Sequence, residues 1–162
     1  MDEQEYTLEE ISYSQKENCR VMESVLSNWF QNPKTLNLVS PRLSFPFKFK
    51  DWVSKSYSKN KEKIISIILK KKKWIIGHVS YRMEMNKLHI FHLFIEKDYR
   101  QLGLAKKLMK EIEKHGFLYK AKTLTLNVGK KNTAAVKLYK KLGYQRIGYN
   151  KLGNIKMEKH LK

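Results

Sequence analysis

The sequence predicts an α/β (α+β) fold with a mixed, mostly antiparallel central sheet of about six to seven strands flanked by helices. Two observations lead to this prediction. Three apolar, β-branched runs follow one another at short intervals, and a strand–helix–strand segment comes after them. Short connections favour antiparallel neighbours, whereas strands joined by a helical crossover lie parallel. The sheet is therefore expected to contain both arrangements.

The N-terminal part begins with a predicted strand and a predicted helix. Residues 5–11 (EYTLEEI) are typical of a short opening strand. Ser14 and Glu17 form the S-x-x-E pattern of a capping box, which starts a helix. Apolar residues behind it recur at helical spacing: Val21, Met22, Val25, Leu26 and Trp29.

The next segment contains all three prolines of the chain. The Asn32-Pro33 pair is expected to end the preceding helix, because proline cannot continue helical hydrogen bonding. Residues 34–47 are expected to be irregular, and a short helix is expected over residues 49–57.

Three strand-like runs follow, over residues 63–69, 74–83 and 88–95. A lysine run and an Asn-Lys pair separate them, and both are compatible with exposed turns. The short connections predict an antiparallel meander.

After the third run, the pattern changes to a helical crossover. Leu104, Leu108 and Ile112 step by four through a helix that is expected to end near Gly116. Residues 123–128 (TLTLNV) then predict a strand parallel to the one before the helix.

The C-terminal part predicts one further helix and two strands. Asn132 can cap the helix, and Gly143 can end it in the left-handed conformation. The last two strands are expected near residues 144–149 and 155–160.

The chain carries a formal charge of +19, from 29 Lys and 5 Arg against 15 acidic residues. Such a charge attracts nucleic acid, anionic membranes and acidic partners. A protein that reads nucleic acid would usually carry more Arg, whose planar fork suits phosphates and base edges. Nucleic acid is therefore a possible partner that the composition does not favour, and an A/T-biased genome is the alternative explanation.

The cellular location of the protein is predicted by excluding membrane and secreted classes. No apolar run approaches the roughly 20 residues of a membrane-spanning helix, and the acidic N-terminus lacks the layout of a secretory signal. Cys19 is the single cysteine, so an intramolecular disulfide is excluded. We expect a cytoplasmic protein with no membrane partner.

Residues 100–105 (RQLGLA) stand between a predicted strand and a predicted helix. The first N–H groups of a helix have no internal partner, and the helix dipole adds positive potential there. Gly103 lets the backbone approach an anion closely, and Ala105 keeps the first turn uncluttered. This segment suits a pyrophosphate, although a plain tight turn has the same short pattern.

Two motifs in this order resemble the GCN5-related N-acetyltransferase (GNAT) family. One is R-x-x-G-x-A within HLFIEKDYRQLGLAKKLM, and the other is N-x-x-A-x-x-x-Y-x-x-x-G-[FY] within NVGKKNTAAVKLYKKLGY. The resemblance covers the chain from about Trp74 to Leu161, whereas the N-terminal part matches only in layout. It implies a GNAT-type sheet with splayed parallel strands at its centre.

The resemblance also implies acetyl-CoA as a co-substrate and no metal. The pyrophosphate would lie on the backbone amides of the loop, and pantetheine would pair like an added strand with the strand before it. The implied cofactor-binding residues are Leu93, Phe94, Ile95, Arg100, Gln101, Leu102, Gly103, Leu104, Ala105, Lys106, Asn132 and Tyr139. Asn132 can combine this role with helix capping.

Tyr139 is the implied general acid. The family places this tyrosine beside the coenzyme sulfur, where its hydroxyl can protonate the departing thiolate. A phenol suits this role because it stays protonated at neutral pH. The alternative is a packing aromatic on an amphipathic helix.

The general base is less well defined by the resemblance. Many relatives carry a Glu eleven positions before the first motif, where this chain has His89. An imidazole could deprotonate the ammonium directly or through water. His92, a water chain or no dedicated base are the alternatives. Asn127 replaces a Glu of relatives that acetylate ribosomal-protein N-termini, which counts against that group.

Taken together, residues 1–162 are expected to form a single acetyltransferase domain, with an acceptor-side strand and helices in 1–60 and an acetyl-CoA-binding core in 61–162. The expected reaction is direct transfer of acetyl, in a ternary complex, to a primary amine of a peptide, protein or small metabolite. The alternatives are a non-catalytic acyl-CoA-binding regulatory module and a ribonucleoprotein-associated protein acetyltransferase. The protein is expected to be a monomer or a homodimer.

Overall fold

Within residues 5–58 and 63–162, which the computed structural model describes, seven strands form one sheet. The strands are β1 (Tyr6–Ile11), β2 (Ile64–Lys71), β3 (Trp74–Glu84), β4 (Lys87–Ile95), β5 (Thr123–Val128), β6 (Gln145–Tyr149) and β7 (Ile155–His160). Their order across the sheet is β1-β2-β3-β4-β5-β7-β6, and only the β4–β5 pair is parallel. The predicted mixed, mostly antiparallel sheet is confirmed.

The helices that cover the sheet are α1 (Lys16–Trp29), α2 (Pro33–Val39), α3 (Phe49–Ser56), α4 (Leu104–Leu118) and α5 (Thr133–Lys141). Among the described residues, no helix is long and apolar enough to cross a membrane. The predicted boundary between residues 60 and 61, and the first four residues of the acidic N-terminus, lie outside the described ranges.

The capping box predicted for α1 is wrong. The helix begins at Lys16, with Gln15 at the N-cap position, and no side chain caps it. Ser14 lies one residue too early, and its hydroxyl instead bonds to that of Ser12 at 2.6 Å. Glu17 pairs with Arg20 at 2.6 Å rather than turning back to the helix start.

The prediction of irregular chain over residues 34–47 is wrong for its first half. Asn32 Oδ1 accepts hydrogen bonds from the backbone N–H of Lys34 at 2.8 Å and Thr35 at 3.3 Å, which caps α2. Pro33 occupies the first helical position, where a missing N–H costs nothing. The Asn-Pro pair therefore starts a helix as well as separating it from α1.

The sheet separates two apolar cores, because alternate side chains of a strand face opposite sides. On one side, Leu104, Leu108 and Ile112 pack against the central strands, as their spacing by four predicts. On the other side, Trp52 of α3 and Phe94 of β4 belong to a second core with α1 and α2. Strand β4 thus lies between both groups of helices.

Candidate active site

Strand β4 is bulged at His92, just before the predicted pyrophosphate loop. The pairs Ser80↔Phe91 and His78↔Phe94 flank a shift of register with β3. His92 itself has a left-handed backbone with φ of 55°, which is unusual for a residue other than glycine. The extra residue changes which face each later side chain occupies.

Strands β4 and β5 diverge beyond Ile90. Their parallel pairing covers Lys87–Ile90 against Thr123–Leu126. In the described sheet, Leu93, Phe94 and Ile95 continue without a partner in β5. The Ile95 carbonyl accepts a hydrogen bond from Arg100, and the other backbone groups that face the gap need hydrogen-bond partners. The central parallel strands are therefore splayed, and the gap suits an extended chain that carries amides.

The loop after β4 presents bare amides to the same end of the gap. Gln101 and Gly103 have left-handed backbones, with φ of 63° and 78°. Gly103 stands at the N-cap position of α4, and no side chain caps that helix. The first amides of α4, from Leu104 to Lys106, have no intrahelical acceptor, and the helix dipole makes their end positive. This arrangement suits a diphosphate.

An open cleft of about 620 Å³ joins the loop to the end of β4 and is bordered by α2 and α5. It is lined by ten of the predicted cofactor-binding residues: Leu93, Phe94, Ile95, Arg100, Gln101, Gly103, Leu104, Ala105, Lys106 and Asn132. Leu102 is exposed to solvent and Tyr139 is buried, and neither lines the cleft.

The charged side chains among the described cleft-lining residues are all cations: Arg100, Lys106, Lys137 and Lys141. Converging positive charge with low-dielectric walls concentrates anions in a cleft. The Nε of Arg100 donates a hydrogen bond to the Ile95 carbonyl at 2.9 Å, which ties the loop to the end of β4. The cleft is therefore built for an anion with an extended, apolar or amide-bearing continuation.

Asn132 caps α5, as predicted, because its Oδ1 accepts a hydrogen bond from the Ala135 N–H at 3.4 Å. The same side chain also borders the cleft. One residue therefore fixes the start of α5 and lies within reach of a ligand.

Tyr139 lies on α5 with its ring centroid 5.9 Å from that of Tyr144. The side chain is only 7% exposed, and burial raises the pKa of its phenol well above the usual value. Within the described chain its hydroxyl makes no hydrogen bond, yet it is not among the fully enclosed polar atoms. The phenol is therefore protonated at neutral pH.

His89 lies on β4, where its Nδ1 is hydrogen-bonded to the Thr125 hydroxyl at 2.9 Å. Burial lowers the pKa of His89 to about 4, with help from the nearby cations Arg82, Lys87 and Lys156. The imidazole is consequently neutral at pH 7. His89 does not line the cleft.

His92 has both ring nitrogens engaged. Nδ1 is hydrogen-bonded to the Tyr57 hydroxyl at 2.8 Å, and Nε2 to the Ser40 hydroxyl at 2.9 Å. Burial, reinforced by His78, lowers the pKa of His92 well below its ordinary value. Neither nitrogen is left open to accept a proton from a substrate.

One wall of the cleft is made by a helix that the sequence patterns do not predict. Thr35, Leu38 and Val39 of α2 border the cleft, together with residues of α5. The signal was present in Asn32-Pro33, an N-cap residue followed by proline at the first helical position. The same pair also fits the end of a preceding helix, which is the prediction that the structure corrects.

Comparison with known proteins gives one curated relative with a local match. This chain is 40% identical over 53 residues to "Probable spermine N(1)-acetyltransferase" of Bacillus subtilis subsp. natto (strain BEST195). The match covers 32% of this chain and 35% of the relative. The chain therefore matches about a third of the length of that relative.

Solved structures share the fold over all or part of this chain. The PaiA N-acetyltransferase from Thermoplasma acidophilum, in complex with coenzyme A, has a TM-score of 0.72 at 18% identity, over 96% of this chain and 99% of that one. A candidate streptothricin acetyltransferase from Bacillus anthracis str. Ames, in complex with acetyl coenzyme A, has a TM-score of 0.58 at 25% identity. That second match covers 64% of this chain and 65% of the other.

The family comparison agrees with the fold and with the two motifs. The profile of the Acetyltransferase (GNAT) family matches residues 25–144, which is well over half of the chain. This range contains the bulged strand, the loop with bare amides and α5. The chain belongs to the GNAT family of acetyltransferases.

Proposed function

We propose that the protein binds acetyl-CoA in the cleft and transfers the acetyl group to a primary amine of a peptide, a protein or a small metabolite. One observation carries the proposal: the bare amides at the start of α4 adjoin the open backbone edge of β4 in a cleft whose charged residues are cations. The names of the similar proteins support it, since each is called an acetyltransferase and two were solved with coenzyme A or its acetyl form.

The residues at the cleft fit the chemistry of this co-substrate. A Cβ added to Gly103 would meet no atom within 4 Å, so the loop leaves space in front of its backbone. We assign the diphosphate to the amides from Gln101 to Lys106. The open backbone of Leu93 to Ile95 would hold the pantetheine amides, and Asn132 would contact the same arm.

Acetyl-CoA supplies a thioester whose carbonyl carbon is attacked by the free amine. Backbone amides of β4 next to the bulge would polarise the carbonyl, which favours charge developing on its oxygen. Tyr139 would donate its phenolic proton to the sulfur as the carbon–sulfur bond breaks. Direct attack requires both substrates together, so the mechanism uses proximity in a ternary complex rather than a covalent enzyme intermediate.

His89 is the first candidate for the general base. His89 is neutral at pH 7, and if its Nδ1 donates to Thr125, then Nε2 can accept a proton. A pKa near 4 makes it a weak base, so it would act best through water on an amine that is already partly deprotonated. A water chain or no dedicated base remain the alternatives.

The charge of the chain and the name of the curated relative point to different acceptors. The charge of +19 disfavours small polycations, whereas the name of the curated relative points to a polyamine. The relative matches over only 53 residues, so its substrate carries little weight for this chain. A panel should therefore contain spermine, aminoglycosides, amino acids and peptides with free N-terminal or lysine amines.

The decisive assay measures release of free CoA thiol from acetyl-CoA with each amine. Thiol release that depends on an amine, together with an acetylated product of the expected mass, supports the proposal. Tight acetyl-CoA binding without thiol release for any amine would favour a non-catalytic acyl-CoA-binding regulatory module. Steep salt dependence of RNA binding would favour a ribonucleoprotein-associated protein acetyltransferase.

Further parts of the proposal rest on the sequence. These are the single acetyltransferase domain over residues 1–162, divided into acceptor-side 1–60 and cofactor-side 61–162, a cytoplasmic location, and a monomer or homodimer. Size-exclusion chromatography with light scattering tests the oligomeric state.

A further inference from the structure

A buried group of hydroxyls and imidazoles lies between the sheet and helices α1 to α3. We call it the His92 cluster, and its members are Tyr13, Ser40, Tyr57, Ser66, His78, Ser80 and His92. Buried polar groups cost free energy unless they are hydrogen-bonded. In this cluster the hydrogen bonds continue from one member to the next, so a large polar network is kept inside an aromatic core.

The centre of the cluster is the strained residue of the β4 bulge. A left-handed backbone is unfavourable for an ordinary L-residue because Cβ lies too close to a carbonyl oxygen, and His92 adopts one with φ of 55°. In a regular strand, its side chain would lie on the face of Ile90, toward α4. The bulge instead turns the ring toward α3, where it stacks on Trp52 with centroids 3.9 Å apart. The strain is therefore offset by contacts on the opposite face of the sheet.

His92 makes contacts in three directions. The side chain bonds to Tyr57, beyond the end of α3, and to Ser40, at the C-terminal end of α2. Its backbone carbonyl accepts a hydrogen bond from His78 Nδ1 at 2.8 Å. Because that nitrogen carries the proton, His78 Nε2 is an acceptor, and Tyr13 donates to it at 2.9 Å. The conformation of the bulge is thus held by both the side chain and the backbone.

Two walls of the cleft meet at this residue. Leu93, Phe94 and Ile95 follow His92 directly and form the wall made by β4. Ser40 is the C-cap residue of α2, whose residues Thr35, Leu38 and Val39 form another wall of the cleft. The hydrogen bond between His92 Nε2 and Ser40 Oγ therefore links the strand wall to the helix wall.

We propose that His92 is a positioning residue that fixes α2 against the bulge of β4 and so sets the shape of the cleft for the coenzyme arm. The proposal rests on the proposed use of this cleft for acetyl-CoA. It assigns no proton transfer to His92. His92 acts on α2 through its hydrogen bond to Ser40, and on the β4 wall through the backbone of Leu93 to Ile95.

A matched pair of serine variants tests the link. Ser40→Ala removes the bond between the two walls, whereas Ser66→Ala removes an equally buried hydroxyl whose bond to Ser80 touches neither wall. Isothermal titration calorimetry with CoA alone should give a Kd roughly threefold to tenfold weaker for Ser40→Ala, the range expected for one net hydrogen bond. Ser66→Ala should bind CoA like the unaltered protein, although both variants lose thermal stability.

Variants of His92 separate its two ring nitrogens. The amide of glutamine lies near the position of Nε2 and can keep the bond to Ser40, whereas the shorter asparagine can only reach toward Tyr57. We therefore expect His92→Gln to bind CoA more tightly than His92→Asn. Adding Ser40→Ala to His92→Asn should weaken CoA binding no further, because the bond is already absent.

The outcomes are distinguishable. If Ser40→Ala and Ser66→Ala have the same CoA affinity, or if asparagine and glutamine at position 92 are equivalent, the positioning role is overturned while the proposed function stands. If the unaltered, folded protein does not bind CoA at millimolar concentration, both the proposed function and the positioning role fail.

Discussion

Gly103 and Gly153 have nearly the same left-handed backbone, with φ of 78° and 80°, and neither would give a Cβ any neighbour within 4 Å. The two glycines differ in what surrounds the empty space in front of their Cα atoms. Gly103 borders the cleft at the start of α4, whereas Gly153 lies in the turn before β7. Alanine at either position therefore brings the same backbone strain but faces different surroundings.

For Gly103→Ala we expect a Kd for CoA at least about tenfold weaker, because the methyl group occupies the space where the diphosphate would approach. Gly153→Ala is the control for strain, since it should lose a similar 1–2 kcal/mol or so of stability without affecting CoA binding. Calorimetry and thermal unfolding measure the two effects. Equal CoA affinity in both variants would show that the loop does not hold the diphosphate.

The second prediction concerns Tyr139. We expect Tyr139→Phe to lower kcat by about 100-fold, because the hydroxyl that protonates the sulfur is lost, while CoA affinity stays within about twofold. Tyr144→Phe removes a similarly buried hydroxyl from the neighbouring ring and should leave kcat nearly unchanged. A thiol-release assay with the best amine provides kcat. Full turnover in Tyr139→Phe would exclude it as the acid.

The third prediction concerns His89 as the base. We expect His89→Gln to lower kcat/KM for the amine roughly tenfold, within the range of general-base effects. The shape of the pH profile above pH 5 should stay the same, because the pKa of His89 lies at about 4. Thr125→Val removes the hydroxyl that orients the ring and should give a smaller loss. Normal kcat/KM in His89→Gln would favour a water chain or no dedicated base.

The fourth prediction concerns stability at low pH. Burial lowers the pKa of His78 to about 4, whereas an unfolded chain has the ordinary value near 6.5. As pH falls from 8 to 5, the unfolded state takes up a proton that the folded state does not, so about 2 kcal/mol of stability is lost through this residue. The lowered pKa values of His89 and His92 act in the same direction.

Urea unfolding at pH 8 and pH 5 measures this effect. The loss between the two values should be smaller by about 2 kcal/mol in His78→Gln, because the titrating group is gone. Tyr13→Phe removes the partner of His78 but keeps the histidine, so it should be less stable at both pH values with an unchanged difference. An identical pH dependence in His78→Gln and the unaltered protein would contradict the prediction.

The sequence was sufficient for the elements whose signals are periodic and local. Alternating or β-branched runs predicted the strands, and the spacing of Leu104, Leu108 and Ile112 predicted α4 with its buried face. The loop from Arg100 to Ala105 was also predictable, because a helix start and the glycine that precedes it are neighbours in sequence.

Short polar sequence motifs predicted the structure less reliably, because the same polar side chain can form hydrogen bonds with more than one set of partners. Ser14 fitted a capping box but bonds to Ser12, and Asn32-Pro33 fitted a helix end but starts α2. The cleft wall made by α2 was missed for this reason.

The His92 cluster could not be predicted from local patterns at all. Ser40 and Tyr57, which bond to the two nitrogens of His92, lie 52 and 35 positions away in sequence. Their meeting depends on the bulge that rotates His92 across the sheet. A histidine on an apolar strand gives the same sequence signal whether it is a base, a ligand or a structural anchor.

The pairing of β4 with β5 extends over only four residue pairs, from Lys87 and Thr123 to Ile90 and Leu126, whereas β1 and β2 pair over six. These four residue pairs provide the direct backbone hydrogen bonds between the half of the sheet that contains β1 to β4 and the half that contains β5, β7 and β6. A coenzyme bound in the gap would contact both halves of the sheet. The free energy of unfolding would therefore increase with the coenzyme concentration. Loss of the coenzyme would therefore weaken the contact between the two halves of the sheet.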